Sequence, residues 1–163
     1  MKRTLAFVLL LTVGTSLSAQ EVQHPFPFTP QQQAIAAVID TSIGWAIKKD
    51  KEALYRCFVQ DSSFFIFHPG DNTIIGFAEF RDLVETVFMN PAFVATDYRI
   101  RDLRIHLSLS EDAAWFSCLS DDHGLWEGEP SGWEDCRWTG VLIQQDGRWK
   151  IAQMHFSYES PGP

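Results

Sequence analysis

The chain has 163 residues, 45% of them hydrophobic and 13% aromatic, and its formal net charge is −8 at pH 7. This length suits one domain with a single core. A net acidic surface repels the phosphates of nucleic acids and the headgroups of anionic membranes, so neither is expected as a partner.

Residues 1–19 have the pattern of a secretory signal peptide. Lys2 and Arg3 give a positive start, the apolar run Leu5–Val13 follows, and small residues lead up to Ala19. Cleavage is expected after Ala19 or within a residue or two of it. No other stretch approaches the roughly 20 apolar residues of a membrane span. We therefore expect an exported protein, either periplasmic or secreted, with no membrane span after cleavage.

Three helices are predicted after a flexible lead-in over residues 20–29. Thr29 begins a capping box and Pro30 suits a first helical position, so the first helix should run from about Pro30 to Lys49. Asp50 caps a short second helix. The third helix ends at Asn90-Pro91, because the residue before a proline disfavours helical backbone.

Strands account for most of the remaining chain. Two short strands are predicted over residues 61–68 and 73–75, and four long strands follow the third helix. A phase slip of the apolar positions near Arg101 predicts a β-bulge. Residues 129–132 are predicted as a turn, and residues 146–147, Asp-Gly, as a two-residue hairpin turn.

The patterning of these strands is mixed, so they cannot all be buried on both faces. A curved antiparallel sheet wrapped around three helices satisfies this pattern and gives an α+β fold. The domain is expected to cover residues 30–159, with a short tail over residues 160–163.

Three cysteines, Cys57, Cys118 and Cys136, leave at least one thiol unpaired in an exported protein. Cys118 and Cys136 fall on adjacent predicted strands, so a disulfide between them and free thiols both stay open. No set of Cys or His ligands with the spacing of a zinc site accompanies them. We predict neither a metal site nor a cofactor.

Two segments resemble a known family. One is the closing signature, Arg137-Trp138-Thr139-Gly140-Val141-Leu142 followed by Asp146-Gly147-x-Trp149-x-Ile151-x-x-x-His155-x-Ser157, and the other runs from Asp61 through Pro69-Gly70 to Gly76. Together with the element order, they resemble the SnoaL-like branch of the nuclear transport factor 2-like superfamily. That superfamily includes ketosteroid isomerases, polyketide cyclases, scytalone dehydratase and the association domain of calcium/calmodulin-dependent kinase II.

The resemblance implies a cone-shaped pocket between a concave sheet and the helices. It also implies a homodimer that pairs through the outer face of the sheet. Because this fold hosts many functions, the resemblance does not fix an activity.

The last hairpin predicts which residues face the pocket. A two-residue turn followed by an unbroken register places Trp138 opposite His155 and brings Gln153 to the same face. Arg137 then falls on the other face. A three-residue loop with a bulge would move the register by one residue and abolish this partition.

Two histidines are candidates for acid–base catalysis. The ordinary pKa of His155, near 6.5, suits proton transfer, and the alternative is a histidine of the core or of an interface. His68 precedes Pro69 at the place where, by resemblance, the isomerases carry an aspartate base. The alternative is a turn histidine. The tyrosine and protonated carboxylic acid that such isomerases also need cannot be placed from the spacing.

Asp121-Asp122-His123 is compatible with a metal site or with a solvated acidic rim. Neighbours on one strand point to opposite faces, so only Asp121 and His123 could share an ion, with Glu134 as a third ligand. Further acidic residues nearby favour the rim.

The predicted ligand-binding residues combine aromatic and polar side chains: Trp45, Phe67, Trp115, Trp138, Gln153, Arg137 and Asp61. The aromatic members would make the cavity apolar and suited to a flat or aliphatic small molecule. An arginine in the cavity would favour a carboxylate ligand, and a salt bridge or dimer contact is the alternative. Trp126 and Trp133, beside a predicted loop, would frame the pocket mouth or the dimer seam.

The sequence favours an exported homodimeric domain that holds a small apolar ligand as a non-catalytic binding or association module. The alternative is a small-molecule isomerase, cyclase or dehydratase that uses a pocket histidine as general acid or base. A structural subunit of a larger exported complex is a third possibility. A histidine and a carboxylate brought together in an open pocket would favour the enzyme.

Overall fold

The structure is a computed structural model that describes residues 27–70 and 72–159. The predicted signal peptide, most of the lead-in and the tail lie outside the described residues. In chain order the elements are α1 (Pro30–Lys48), α2 (Lys51–Arg56), β1 (Phe65–Phe67), β2 (Thr73–Ile75), α3 (Phe77–Leu83), a π-helical turn (Val84–Phe88), β3 (Phe93–Leu107), β4 (Ala113–Trp126), β5 (Glu129–Gln145) and β6 (Arg148–Ser157). Within the described ranges, no helix has both the length and the apolarity needed to cross a bilayer.

Helices α1 and α2 begin where their capping residues predict. The Thr29 hydroxyl accepts a hydrogen bond from the Gln32 backbone N–H at 3.3 Å, and the Gln32 side chain accepts one from the Thr29 N–H at 2.9 Å. This reciprocal capping box satisfies two backbone donors that the helix itself cannot pair. The Asp50 carboxylate accepts from the Ala53 N–H at 3.0 Å and starts α2 in the same way.

The six strands form one sheet in the order β2-β1-β6-β5-β4-β3. Strands β1 and β6 are parallel, and the other neighbouring pairs are antiparallel. Helix α1 packs against β3 and β6, and the buried apolar side chains of the helices and of the inner sheet face form one core. The predicted α+β fold, a curved sheet around three helices, is confirmed.

Bulges curve the long strands. In β3 the register shifts between Arg101 and Arg104, where Asp102 has a φ of +53°. This confirms the bulge predicted from the phase slip. In β5 a second extra residue lies near Asp135, whose φ is +51°, opposite the Ser120–Asp122 step of β4. Each bulge increases the local twist, so the sheet wraps around α1 instead of lying flat.

The turn predicted over residues 129–132 is wrong. The connection between β4 and β5 is the pair Glu127 and Gly128, with φ of +53° and +88°, and Glu129 already pairs with Trp126. A two-residue turn with positive φ matches the twist of the strands that it joins, and glycine adopts this backbone at little cost. Pro130 lies near the start of β5, where a missing N–H is tolerated.

The last hairpin keeps its predicted turn. Asp146 and Gly147 have φ of +53° and +71°, as a two-residue turn requires, and Leu142 lies opposite Ile151. Beyond that pair the register shifts, because Ala152 of β6 has no partner in β5 and forms a bulge.

The predicted pairing of Trp138 with His155 is therefore wrong. Trp138 lies opposite Phe156, and His155 lies opposite Thr139. The physical reason is the apolar pattern of β6. Trp149 and Ile151 lie in one phase of the strand and Met154 and Phe156 in the other, so one extra residue between them lets both pairs face the core. Trp149, Ile151 and Met154 are all buried.

Arg101 ties three strands together at the bulges. Its guanidinium donates to both carboxylate oxygens of Asp121, at 2.8 and 3.2 Å, and to Asp135 at 2.6 Å. The Asp135 backbone N–H also donates to Asp121 at 2.9 Å. Asp121 is only 8% exposed, so it acts as a buried acceptor that holds the β3 and β5 bulges against β4.

This network predicts a specific acid sensitivity. Burial raises the pKa of Asp121, but hydrogen bonds from Arg101 and from the Asp135 N–H outweigh it and hold the pKa below its ordinary value. A carboxyl whose pKa is lowered by folding stabilises the protein above its unfolded pKa of about 3.9 and loses that contribution as pH falls through the folded pKa. We expect Asp121→Asn to lower the free energy of unfolding at pH 7 by about 1–3 kcal/mol and to flatten its dependence on pH below about pH 4.

Urea titrations of the wild type and the variant between pH 2.5 and pH 7 measure both effects. Asp135→Asn is the matched control, because the side chain of Asp135 is 78% exposed and its ion pair with Arg101 is screened by water. Equal losses in the two variants, with an unchanged pH slope, would contradict the assignment of the acid sensitivity to Asp121.

Candidate functional site

A cavity of about 250 Å³ lies between the inner face of the sheet and the helices. Its wall is mainly apolar: α1 contributes Trp45 and Ala46, α3 contributes Phe80, and the π-helical turn contributes Val84 and Phe88. The polar side chains among the lining residues are those of Ser42, His68, Ser120, Asp122 and Ser131, together with the ring nitrogens of three tryptophans. Among the described residues that line the cavity, none is a lysine or an arginine.

Four aromatic rings form one side of the cavity, and we call them the aromatic wall: His68, Trp133, Trp138 and Phe156. The Phe156 ring stacks on His68, with centroids 5.7 Å apart, and on Trp138, with centroids 5.4 Å apart. Trp133 packs at an angle against His68 at 5.6 Å and against Phe156 at 5.2 Å. The bulge at Ala152 makes this wall possible, because it turns Phe156 inward opposite Trp138.

Two ring nitrogens of the wall are buried without a hydrogen-bond partner in the described part of the chain: Nε2 of His68 and Nε1 of Trp138. The indole N–H can only donate, and leaving such a donor unpaired costs about 1–3 kcal/mol. Burial lowers the pKa of His68, so its imidazole is neutral at pH 7 and can donate or accept. A bound molecule with polar atoms could supply the missing partners.

Asp122 brings a carboxyl group to the same cavity. It lies on β4, with Trp133 of β5 and Tyr98 of β3 as its cross-strand neighbours. Burial raises the pKa of Asp122, and the charge of His123 opposes this shift. Within residues 27–70 and 72–159, no hydrogen bond or ion pair reaches its carboxylate. The structure therefore holds an unpaired acidic side chain beside the aromatic wall.

Some of the predicted site residues do line the cavity. Trp45 of α1, His68 after β1 and Trp138 of β5 all lie on its surface. Trp133, which was expected at the pocket mouth or the dimer seam, lines it as well. Trp126 is not among the lining residues and is 38% exposed.

His155 lies outside the cavity, contrary to the predicted partition of the hairpin. It is exposed on the outer face of the sheet, with its ring 5.8 Å from that of Phe67. Phe67, predicted as a ligand contact, is 46% exposed on that face. Gln153 lies there too, opposite Val141. The bulge at Ala152 explains the placement of His155 and Gln153, because every residue after it changes face.

Three further predicted ligand contacts also lie away from the cavity. Trp115 is 50% exposed and stacks on His106, with centroids 5.6 Å apart. Arg137 is exposed and pairs with Glu159 at 3.4 Å, so it brings no positive charge to the cavity. The Asp61 carboxylate accepts from the backbone N–H and the hydroxyl of Ser63, at 2.8 and 2.6 Å, and shapes the turn before β1.

Asp121 and His123 have other partners. Asp121 accepts from Arg101, and His123 lies 3.3 Å from Glu134 on the exposed face. In the described ranges, no group of three or more His, Cys, Asp or Glu side chains could hold a metal ion.

The cysteines are free and buried. Cys57, Cys118 and Cys136 are all present as thiols, so the alternative of a Cys118–Cys136 disulfide is absent from the structure. Burial raises the pKa of Cys118 to about 12 and that of Cys57 to about 11. Both stay protonated at neutral pH and are poor nucleophiles there.

Sequence reasoning missed Asp122, Met154 and Phe156 as cavity residues. Asp122 lies two residues after Ser120 and four after Cys118, which are both buried. Because side chains alternate between the faces of a strand, this spacing along β4 predicts that Asp122 faces the inside of the sheet. For Met154 and Phe156 the signal was the phase slip of β6, the same kind of signal that identified the bulge in β3.

The fold and the cavity define a class of protein: an α+β domain of nuclear transport factor 2-like architecture with a ligand-sized space under its curved sheet. Residues 35–161 match the family profile described as a SnoaL-like domain. The chain belongs to the SnoaL-like domain family. This family contains both enzymes and non-catalytic members.

Solved structures agree on the architecture. A protein from Streptomyces avermitilis, named as a candidate dehydratase of the nuclear transport factor 2-like family, has 16% identity and a TM-score of 0.67 over 82% of this chain and 100% of its own. A ketosteroid isomerase-like protein from Erwinia carotovora atroseptica has 18% identity and a TM-score of 0.63 over 82% and 100%. A candidate Ca/calmodulin-dependent kinase II association domain from Exiguobacterium sibiricum has 11% identity and a TM-score of 0.64 over 84% and 99%.

At these identities the similarity concerns the fold alone. No functionally curated protein matches the chain significantly.

Proposed function

We propose that this chain is an exported SnoaL-like domain that binds a small, mainly apolar molecule in its cavity and acts as a binding module without catalysis. The observation that carries the proposal is the aromatic wall, in which Nε2 of His68 and Nε1 of Trp138 lack partners beside about 250 Å³ of space. Ligand sites are typically apolar concavities with a few polar groups that fix the orientation of the ligand.

The size of the space limits the ligand. An apolar cavity of about 150 Å³ is enough to bind benzene. By that comparison, 250 Å³ accommodates a molecule of roughly ten non-hydrogen atoms, which is one or two rings. A four-ring skeleton would have to extend partly outside this space.

A cavity-filling variant tests the site. Indole, a neutral two-ring molecule, is the probe, and its affinity is measured by calorimetry or by saturation-transfer NMR. Ala46 lines the cavity and is 9% exposed, so we expect Ala46→Phe to occupy the space and weaken indole binding at least about tenfold, or about 1.4 kcal/mol.

Ala37→Phe is the control, because Ala37 is an exposed residue of the same helix and does not line the cavity. Circular dichroism checks that both variants fold. Unchanged binding by a folded Ala46→Phe variant would place the probe elsewhere and contradict the proposal. Native mass spectrometry of protein purified from exporting cells would then look for the natural ligand.

We also propose that the domain forms a homodimer through the outer face of its sheet. Phe67 and Trp115 are both about half-exposed on this face, which is more apolar surface than one isolated side chain presents. Family resemblance supports the same arrangement. Sedimentation at micromolar concentration distinguishes a dimer from a monomer, and a monomer would rule the proposal out.

A second candidate function is proton transfer, as in an isomerase, cyclase or dehydratase. The observation in its favour is that His68 and Asp122 line one cavity, where burial lowers the pKa of His68 and raises that of Asp122. Pairs of titratable groups tuned by burial are typical of acid–base sites. The structure records no hydrogen bond between the two side chains, so a substrate would have to lie between them.

Deuterium exchange tests this candidate. Small cyclic ketones incubated with the protein in D₂O would exchange their α-protons, as followed by NMR, if His68 acts as a base. His68→Gln should lose the exchange and His155→Gln should keep it, because His155 lies on the outer face. Absence of exchange in the wild type would leave only the binding function.

A further inference from the structure

The charges around the cavity are unbalanced. The basic side chains next to Asp122 on the sheet have carboxylate partners on the outer face: Arg101 binds Asp121 and Asp135, and His123 lies beside Glu134. Asp122 alone turns to the inner face, and among the described residues that line the cavity there is no lysine or arginine to meet it. A half-buried carboxylate without an ion-pair partner is less well solvated than one in water, so the cavity favours a positive charge from outside the chain.

The aromatic wall begins directly beside this carboxylate. Trp133 is the cross-strand neighbour of Asp122, and its ring packs against His68 and Phe156. The faces of aromatic rings attract cations, with Trp the most effective, at about 0.5–2 kcal/mol per contact. A carboxylate next to a set of ring faces is the arrangement that recognises an organic ammonium group.

We propose that the cavity is selective for a small organic cation, an amine that carries one ring, with its ammonium group at Asp122 and its ring against the aromatic wall. This inference rests on the proposed binding function and names the class of ligand. A carboxylate ligand is disfavoured, because the cavity offers it one negative charge and no described cation. The net charge of −8 also attracts cations to the protein as a whole.

The other possibility for Asp122 is a protonated carboxyl group that donates to a ligand oxygen. In that case a neutral alcohol would bind as well as an amine of the same shape. The two cases differ in selectivity, so a matched set of probes separates them.

Three probes share one phenyl ring and differ in charge: 2-phenylethylamine, 2-phenylethanol and phenylacetate. Their affinities for the mature chain are measured by calorimetry at pH 7. We expect the amine to bind at least about tenfold more tightly than the alcohol, and phenylacetate to bind most weakly. In Asp122→Asn the amine should lose at least about tenfold in affinity while the alcohol keeps its affinity.

Asp97→Asn is the control, since Asp97 is an exposed acid on the neighbouring strand β3. If Asp122→Asn does not fold, the ranking of the three probes on the wild type decides alone. Equal affinities for amine and alcohol, or tightest binding of phenylacetate, would overturn the inference and leave the binding function standing. Failure of all three probes and of indole to bind would overturn both.

Discussion

Replacing Trp138 by alanine is expected to lower the free energy of unfolding by about 3–5 kcal/mol, because the change removes the most buried member of the aromatic wall. Trp138 is 1% exposed, stacks on Phe156 at 5.4 Å and meets Phe116 edge-to-face at 5.1 Å. The cavity left behind adds to the lost burial, since the surrounding sheet relaxes only in part. Urea denaturation at pH 7 measures the loss, and the melting temperature should fall by roughly 10–20 °C.

Two comparisons sharpen this result. Trp126→Ala should cost clearly less, because Trp126 is 38% exposed at the end of β4. Trp138→Phe keeps a ring and removes the unpaired N–H, so its loss should stay below about 2 kcal/mol. A Trp138→Ala variant no less stable than Trp126→Ala would show that the wall is not packed as described.

The second large effect is expected at Gly140, where Gly140→Val should cost about 3 kcal/mol or more. A Cβ atom at this position would lie 2.5 Å from Cε1 of Phe116 and 2.7 Å from the carbonyl oxygen of Gln153. Phe116 of β4 lies directly opposite Gly140, and its ring extends over the β5 backbone to contact the ring of Trp138. A β-branched side chain would therefore push both the ring and the β6 backbone away.

Thr139→Val is the control for Gly140→Val. It introduces the same side chain at the neighbouring residue, which is exposed on the outer face of β5. Its effect should stay within about 0.5 kcal/mol. The two variants are compared by thermal and urea unfolding. Similar stabilities would mean that Phe116 does not press on the β5 backbone.

The features that sequence predicted best depend on local chemistry. The capping residues Thr29 and Asp50 start helices where they stand, because the hydrogen bonds involved reach only three residues along the chain. The turn at Asp146-Gly147 follows from the positive φ that these two residues tolerate. The bulge near Arg101 could be predicted because it shifts the alternation of apolar residues within a single strand.

The features that sequence did not predict depend on the pairing between strands. The bulge at Ala152 changes the face of every later residue of β6. A register that is wrong by one residue therefore places His155 and Gln153 on the wrong face of the sheet. The aromatic wall was missed for the same reason, since Phe156 joins it only after the shift. Asp122 was missed for a different reason, because the run Asp121-Asp122-His123 resembles a metal site in which only Asp121 and His123 share a face.

Ala152 also bears on which changes of length the cavity tolerates. Loss of the codon for Ala152 would remove the bulge but leave the cross-strand pairs on both sides of it in place, from Leu142 with Ile151 to Trp138 with Phe156. Met154 and Phe156 would still face the cavity, and His155 and Gln153 would stay on the outer face. A one-residue gap at Ala152 would therefore straighten β6 without changing the residues that line the cavity.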